Sequence, residues 1–181
     1  MTEQSLMPVK LRAGDQFVVH CRSVLGRAIS WGEKKDAEAD PAYGHAGIII
    51  DWTGTTIEAL ETIRYGHLSD YTGQHVLIGR YGELNPIRLQ TAIIKIGKRL
   101  GQWYPWWRLP LSLASLARVI DDGRVVCSEL AAQMWWLCTG FKEFEDYRGW
   151  TPAELADVYE HWKEFEIVFK GIWTTKLTGK E

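Results

Sequence analysis

Three cysteines and five histidines make up the reactive inventory of this 181-residue chain. Cys127 follows the apolar pair Val125–Val126 and precedes Ser128-Glu129-Leu130-Ala131-Ala132, a helix-forming run. The pattern sets its thiol at or beside a helix N-terminus, where unpaired N–H groups and the macrodipole favour an anion. Such placement lowers a thiol's pKa, and the thiolate is the nucleophile. The competing reading is plain: a buried cysteine is usually a small, inert hydrophobe. Cys138 lies near the C-terminal end of the same helix, where the dipole disfavours a thiolate, and about three turns from Cys127, too far for a disulfide. Cys21 ends a strand beside His20, a pair that hints faintly at metal or redox chemistry. Both Cys138 and Cys21 read as structural.

A nucleophilic thiol needs a base. His45 is flanked by Gly44, Ala46 and Gly47, small residues that leave room for another segment or a substrate to approach the ring, and the stiff run Ile48 to Ile50 follows. A structural histidine is the alternative. His20, His67, His75 and His161 sit in polar or loop contexts without that feature. A base in turn needs an acceptor that orients it. Glu58 alternates with Ile57 and Ala59, and pairing of its strand with the preceding one brings it to the start of that strand, beside His45. Glu61 takes its place if the register slips, and a solvent-facing strand glutamate is the plain reading of either. There is no C-x-x-C, no H-E-x-x-H and no phosphate-cradling glycine loop, so no metal site and no cofactor is expected.

The elements that must position these groups can be read from pattern. Gln16 to Cys21 is a strand candidate launched by the turn pair Gly14–Asp15, and a short helix follows from Ser23. Gly32 to Asp40 is a mixed-charge loop. His45 to Asp51 and Thr55 to Leu60 form a hairpin across Trp52–Thr53–Gly54. Ile63 to Tyr65 and His75 to Tyr81 are further strands. Asn85–Pro86 starts a helix that carries Ile87, Ile94 and Leu100 toward Gly101. The nucleophile helix runs from Cys127 to Thr139 and stops at Gly140. Thr151-Pro-Ala-Glu154 is a capping box opening a third helix. Phe165 to Phe169 and Ile172 to Thr174 read as closing strands. Without regular βαβ alternation, this order predicts an α+β fold with an antiparallel sheet.

Length and composition agree with one domain of residues 1–181, its core at about 11–170. A net charge of −2 and a pI of about 6.2, without a basic stripe, argue against a nucleic-acid partner. No apolar run approaches the roughly 20 residues that span a bilayer, and residues 1–10 do not resemble a signal peptide. A bacterial cytoplasmic or phage-encoded setting is therefore expected. Ten tryptophans either fill the core or line an aromatic cleft. Trp103, Tyr104, Trp106 and Trp107, interrupted by Pro105, are either a core plug or a wall that stacks on sugar or acyl groups.

Together, Leu11-Arg-Ala-Gly-Asp15, Gly44-His-Ala-Gly-Ile48, Thr56-Ile-Glu-Ala59, Val126-Cys-Ser-Glu-Leu130 and Thr151-Pro152 resemble, in that order, the circularly permuted branch of the NlpC/P60 papain-like cysteine hydrolases. The resemblance spans roughly residues 11 to 160. It implies an antiparallel sheet or partial barrel packed against helices, with Cys127 as nucleophile, His45 as base and Glu58 as orienting acid. It further implies hydrolysis of an amide in a peptide, glycopeptide or cell-wall peptide. Tyr43 is the candidate extra donor to the substrate, with Trp106 and Trp107 as candidate substrate contacts. Two other readings stay open: a lipid ester or thioester hydrolase or acyltransferase on the same fold, and a binding module with a retired site. The aromatic stretch Gln102 to Pro110 departs from the family pattern.

Overall fold

The computed structural model describes residues 9–20, 43–105 and 125–174. The fold is α+β. Six strands, β1 (Gln16–His20), β2 (Tyr43–Ile49), β3 (Thr55–Ala59), β4 (Ile63–His67), β5 (His75–Tyr81) and β6 (Phe165–Ile172), form one sheet in the order β4-β3-β2-β1-β5-β6. Every neighbouring pair is antiparallel. Three α-helices accompany it among the described residues: α1 (Pro86–Gly97), α2 (Cys127–Thr139) and α3 (Pro152–His161).

Strand alternation sorts the sheet's side chains into two cores. Val18, Ala46, Ile48, Ile57 and Leu77 face the helices and pack with Ala92 and Ile96 of α1, Leu130 and Trp135 of α2, and Leu155 of α3. On the other face, Phe17, Val19, Ile49, Val76 and Ile78 close against Leu11, Leu68 and Trp173. Helix α2 is apolar nearly all round, and residues Cys127 to Trp135 are all buried, as befits a helix enclosed by protein on every side. Gly140, in the left-handed conformation at φ 74°, ends it where the sequence predicts.

Polar cross-links fix the layers. Asp15 takes two hydrogen bonds from the Arg80 guanidinium, at 2.7 and 2.8 Å, and one from the Arg12 N–H at 2.8 Å, so the Leu11–Asp15 turn is tied to β5. The buried side chain of Gln16 donates to the Ala131 carbonyl at 2.8 Å and accepts from the Tyr159 hydroxyl at 2.9 Å, joining β1, α2 and α3. Gly79 clears the way for Tyr159: a Cβ there would lie 2.3 Å from the ring.

Several sequence expectations need correction. Helix α1 ends at Gly97, short of Gly101, and its expected apolar positions Ile87 and Ile94 point outward, 76% and 54% exposed. Ala92 and Ile96 face the core instead; a small residue such as alanine allows close approach of α1 to α2, which hydrophobicity alone does not reveal. Strand β2 starts at Tyr43, two residues before the expected start, and β4 continues to His67. The two closing strands are one, β6, running unbroken from Phe165 through Gly171 to Ile172. The expected helix from Ser23 and the loop Gly32 to Asp40 lie outside the described residues.

Candidate active site

The β2–β3 hairpin delivers the base and the acid. Its ladder pairs Gly47 with Glu58, Ile48 with Ile57 and Ile49 with Thr56. Since side chains alternate along a strand, His45, Gly47, Thr56 and Glu58 share one face, and His45 is the diagonal neighbour of Glu58. The result is a hydrogen bond between His45 Nε2 and Glu58 Oε2 at 2.8 Å. Both residues are buried, at 4% and 2% exposure. The Glu61 alternative is not needed, because the register does not slip.

A bulge lies at the start of β2. Val19 pairs with His45, but His20 pairs with Tyr43, so Gly44 has no opposite number on β1. Bulges twist a strand and re-aim neighbouring side chains, and this one adjoins His45. The β2–β3 ladder also stops at Gly47, leaving the edge of β2 beyond it free to receive α2. There the Cys127 thiol comes within electrostatic reach of the His45 ring and of the Ala46 and Ser128 N–H groups, all of which favour its thiolate. With Nε2 engaged by Glu58, Nδ1 is the ring nitrogen left for the sulfur.

The residues after the nucleophile hold the helix start. Glu129 is buried and accepts from the Val126 N–H at 3.0 Å and the Gly149 N–H at 2.9 Å. Ser128 Oγ donates to the Trp150 carbonyl at 2.5 Å. Within Val126-Cys-Ser-Glu-Leu130, the two polar residues after the cysteine thus anchor α2 to Gly149 and Trp150. Thr151 and Glu154 complete their capping box just beyond it, at 2.7 and 3.1 Å.

Electrostatics follow from these contacts. Burial pushes the Cys127 thiol up, yet hydrogen bonding and charge attraction with His45 and the two N–H donors outweigh it, and the net shift is downward. Burial pulls the His45 imidazole down, while Cys127 and Glu58 together carry it above its ordinary range. Burial likewise raises the Glu58 carboxyl, and its bonds from His45, Thr56 and Tyr71 bring it below the usual value. In each case the net direction favours the charged form of the group.

The structure therefore brings together Cys127, His45 and Glu58. Tyr43 is buried, at 1% exposure, in the same helix-side core as Cys127, with its ring edge-on to His20, centroids 4.4 Å apart. Trp106, Trp107 and Cys21 lie outside the described residues. Of the same aromatic stretch, Trp103 is 69% exposed and Tyr104 buried at 7%. Cys138 is buried with a thiol pushed up to about 12 by burial. Sequence reasoning missed Thr56, Phe17 and Tyr71. The Thr56 hydroxyl donates to Glu58 Oε1 and the Tyr71 hydroxyl to Glu58 Oε2, while Tyr71 stacks on His45 at 5.7 Å and 28° and Phe17 meets the same ring edge-on at 6.2 Å. Thr56 was legible as the residue two before Glu58 on the same face; no local pattern marks Tyr71.

No protein-family model matches the chain, and no curated protein matches it in sequence. Among solved structures, the fold is similar to that of the metalloprotein yiiX from Escherichia coli O157:H7, a DUF1105 protein. The two align with a TM-score of 0.55 and 18% identity over 93% of this chain and 92% of that one. The likeness is one of fold. Among the described residues, no group of three or more His, Cys, Asp or Glu side chains is arranged to hold a metal ion, and no helix is long and apolar enough to cross a membrane.

Proposed function

We propose that this protein is a cysteine hydrolase of the permuted NlpC/P60 papain-like type, acting on an amide in a peptide, glycopeptide or cell-wall peptide. The observation that carries the reading is the His45–Glu58 hydrogen bond at 2.8 Å on a ring that is electrostatically coupled to the buried Cys127 thiol at the start of α2. A burial-only explanation accounts for none of the three directions of proton affinity, since burial opposes each of them.

In this reading the Cys127 thiolate attacks the carbonyl carbon, and the C–O π electrons move to oxygen. N–H groups in the first turn of α2 supply donors for that oxyanion. Collapse of the tetrahedral intermediate expels the amine, which takes the proton from the His45 imidazolium, and an acyl-thioester remains on Cys127. Neutral His45 then accepts a proton from water as the water attacks the thioester, and the acid leaves as the thiolate–imidazolium pair reforms. Glu58 stays ionised throughout and holds the ring.

The test is turnover of a panel made of peptide amides, purified muropeptides and fatty-acyl thioesters, with intact-mass detection of an acyl adduct. The reading expects cleavage of an amide member, an adduct on Cys127, and loss of both in Cys127→Ala. Unaltered hydrolysis by that variant overturns it. Preference for the acyl thioesters instead moves the substrate class to lipid-type acyl groups while keeping the nucleophile.

A further inference from the structure

We infer that Tyr71 is a positioning residue of this site: its hydroxyl aims the Glu58 carboxylate at His45, and its ring fixes the plane of the imidazole. The inference rests on the cysteine-hydrolase reading above and concerns a residue to which neither the sequence pattern nor the likeness of fold assigns a role.

Tyr71 closes the 3-10 turn Leu68–Tyr71 that follows β4, and this turn is tied down on both sides. The Leu68 N–H donates to the Gly54 carbonyl at 2.9 Å, the Gln74 N–H to the Tyr71 carbonyl at 3.0 Å, and the Gly73 N–H to the Trp173 carbonyl at 2.8 Å. Leu68 itself is wholly buried. A side chain carried on such a turn arrives pre-positioned, as a supporting residue must. From there the Tyr71 ring lies 5.3 Å from Phe17 and 5.7 Å from His45. The imidazole is thereby held by a tyrosine face and a phenylalanine edge, leaving it little freedom to rotate away from the sulfur.

The hydroxyl settles a second question, namely which group carries the proton. A carboxylate removed from water tends to take a proton itself, and then it neither stabilises imidazolium nor orients it. Glu58 has about four lone-pair positions. Its named donors are Thr56 on Oε1, and His45 and Tyr71 on Oε2. Gly66 shapes the Oε1 side, since any Cβ there would sit 2.6 Å from that oxygen. Two hydroxyl donors favour the charged carboxylate and leave the shared proton on the ring. Among the described residues, the other charged groups facing this acid are the His45–Cys127 pair and Arg64, its exposed register partner on β4, and all of them remain when Tyr71 is changed.

The experiment is the pH dependence of Cys127 alkylation by iodoacetamide, read as the rate of modification of the Cys127 peptide, in the full chain. Wild type should react rapidly well into the acid range. Tyr71→Phe keeps the ring and loses the donor; its acid limb should move upward by about one pH unit, the size of one lost hydrogen bond to a charged group. Fluorotyrosine at position 71, a stronger donor of the same shape, should move the limb the other way. Adding Tyr71→Phe to Glu58→Gln should produce no further change, because Tyr71 acts through the carboxylate. Superimposable limbs in wild type, Tyr71→Phe and the fluorotyrosine protein overturn the positioning role while leaving the hydrolase reading standing. An ordinary thiol profile in wild type overturns the hydrolase reading and the role of Tyr71 with it.

Discussion

Helix α2 carries two cysteines that are buried almost equally, Cys127 at 4% exposure and Cys138 at 3%, and the protein treats them oppositely. At Cys138, burial acts alone and the thiol is pushed up to about 12. At Cys127 the same burial is overcome by an imidazole and two backbone N–H groups. The difference lies in which end of the helix each occupies. The first turn offers unpaired N–H groups and abuts the open edge of β2, whereas the last turn presents carbonyls and apolar packing. Desolvation makes a thiol inert or reactive according to what else is held beside it.

The largest expected contrast between the two sites is in turnover. Cys127→Ser should abolish measurable hydrolysis of any substrate found for the wild type, while Cys138→Ala should leave kcat/KM unchanged; equal losses would erase the distinction. Next comes the acid. Glu58→Gln keeps the size of the side chain but removes its charge, and the rate should fall about 100-fold or more. This residue also links to stability. Its folded carboxyl lies below the ordinary 4.5, so the folded state binds fewer protons than the unfolded one in acid. The stabilisation is complete above about pH 4.5 and is lost as pH falls through the lower folded value. Denaturant melts should show wild type losing stability more steeply than Glu58→Gln below that pH, and parallel curves would contradict the assignment of the charge.

A smaller effect is expected from the backbone that separates the faces. A Cβ on Gly47 would lie 2.5 Å from the Phe17 ring and 3.0 Å from Glu58 Cγ, so Gly47→Ala should cost about 1–3 kcal/mol in a thermal or chemical melt and slow turnover by disturbing both groups. The smallest is Cys138→Ala, worth about 1 kcal/mol of lost packing, read by the same melts.

What the sequence revealed, and what it hid, divides along the range of the interactions. His45 and Glu58 lie on consecutive strands joined by a short turn, so strand alternation and one turn suffice to place them together. Cys127 was marked by its local helix start, and the Ser128 and Glu129 beside it proved to be the anchors of that start. Tyr71 reaches Glu58 only because the turn after β4 is pinned to Gly54 and Trp173, a long-range fact with no periodic signature. The outward-facing Ile87 and Ile94 of α1 misled for a related reason: an apolar side chain signals a core only when a neighbouring element covers it. The Gly44 bulge was equally hidden, since a flanking glycine suggests room for approach as readily as a change of register.

The measurement that tests the central claim most directly is the protonation state of His45, followed by nitrogen NMR of the ring as pH is varied in wild type and in Cys127→Ala. The account predicts an imidazolium at neutral pH in wild type, bonded through both ring nitrogens, whose titration moves to lower pH once the sulfur is removed. A neutral ring at neutral pH in wild type, unchanged by the substitution, would contradict it.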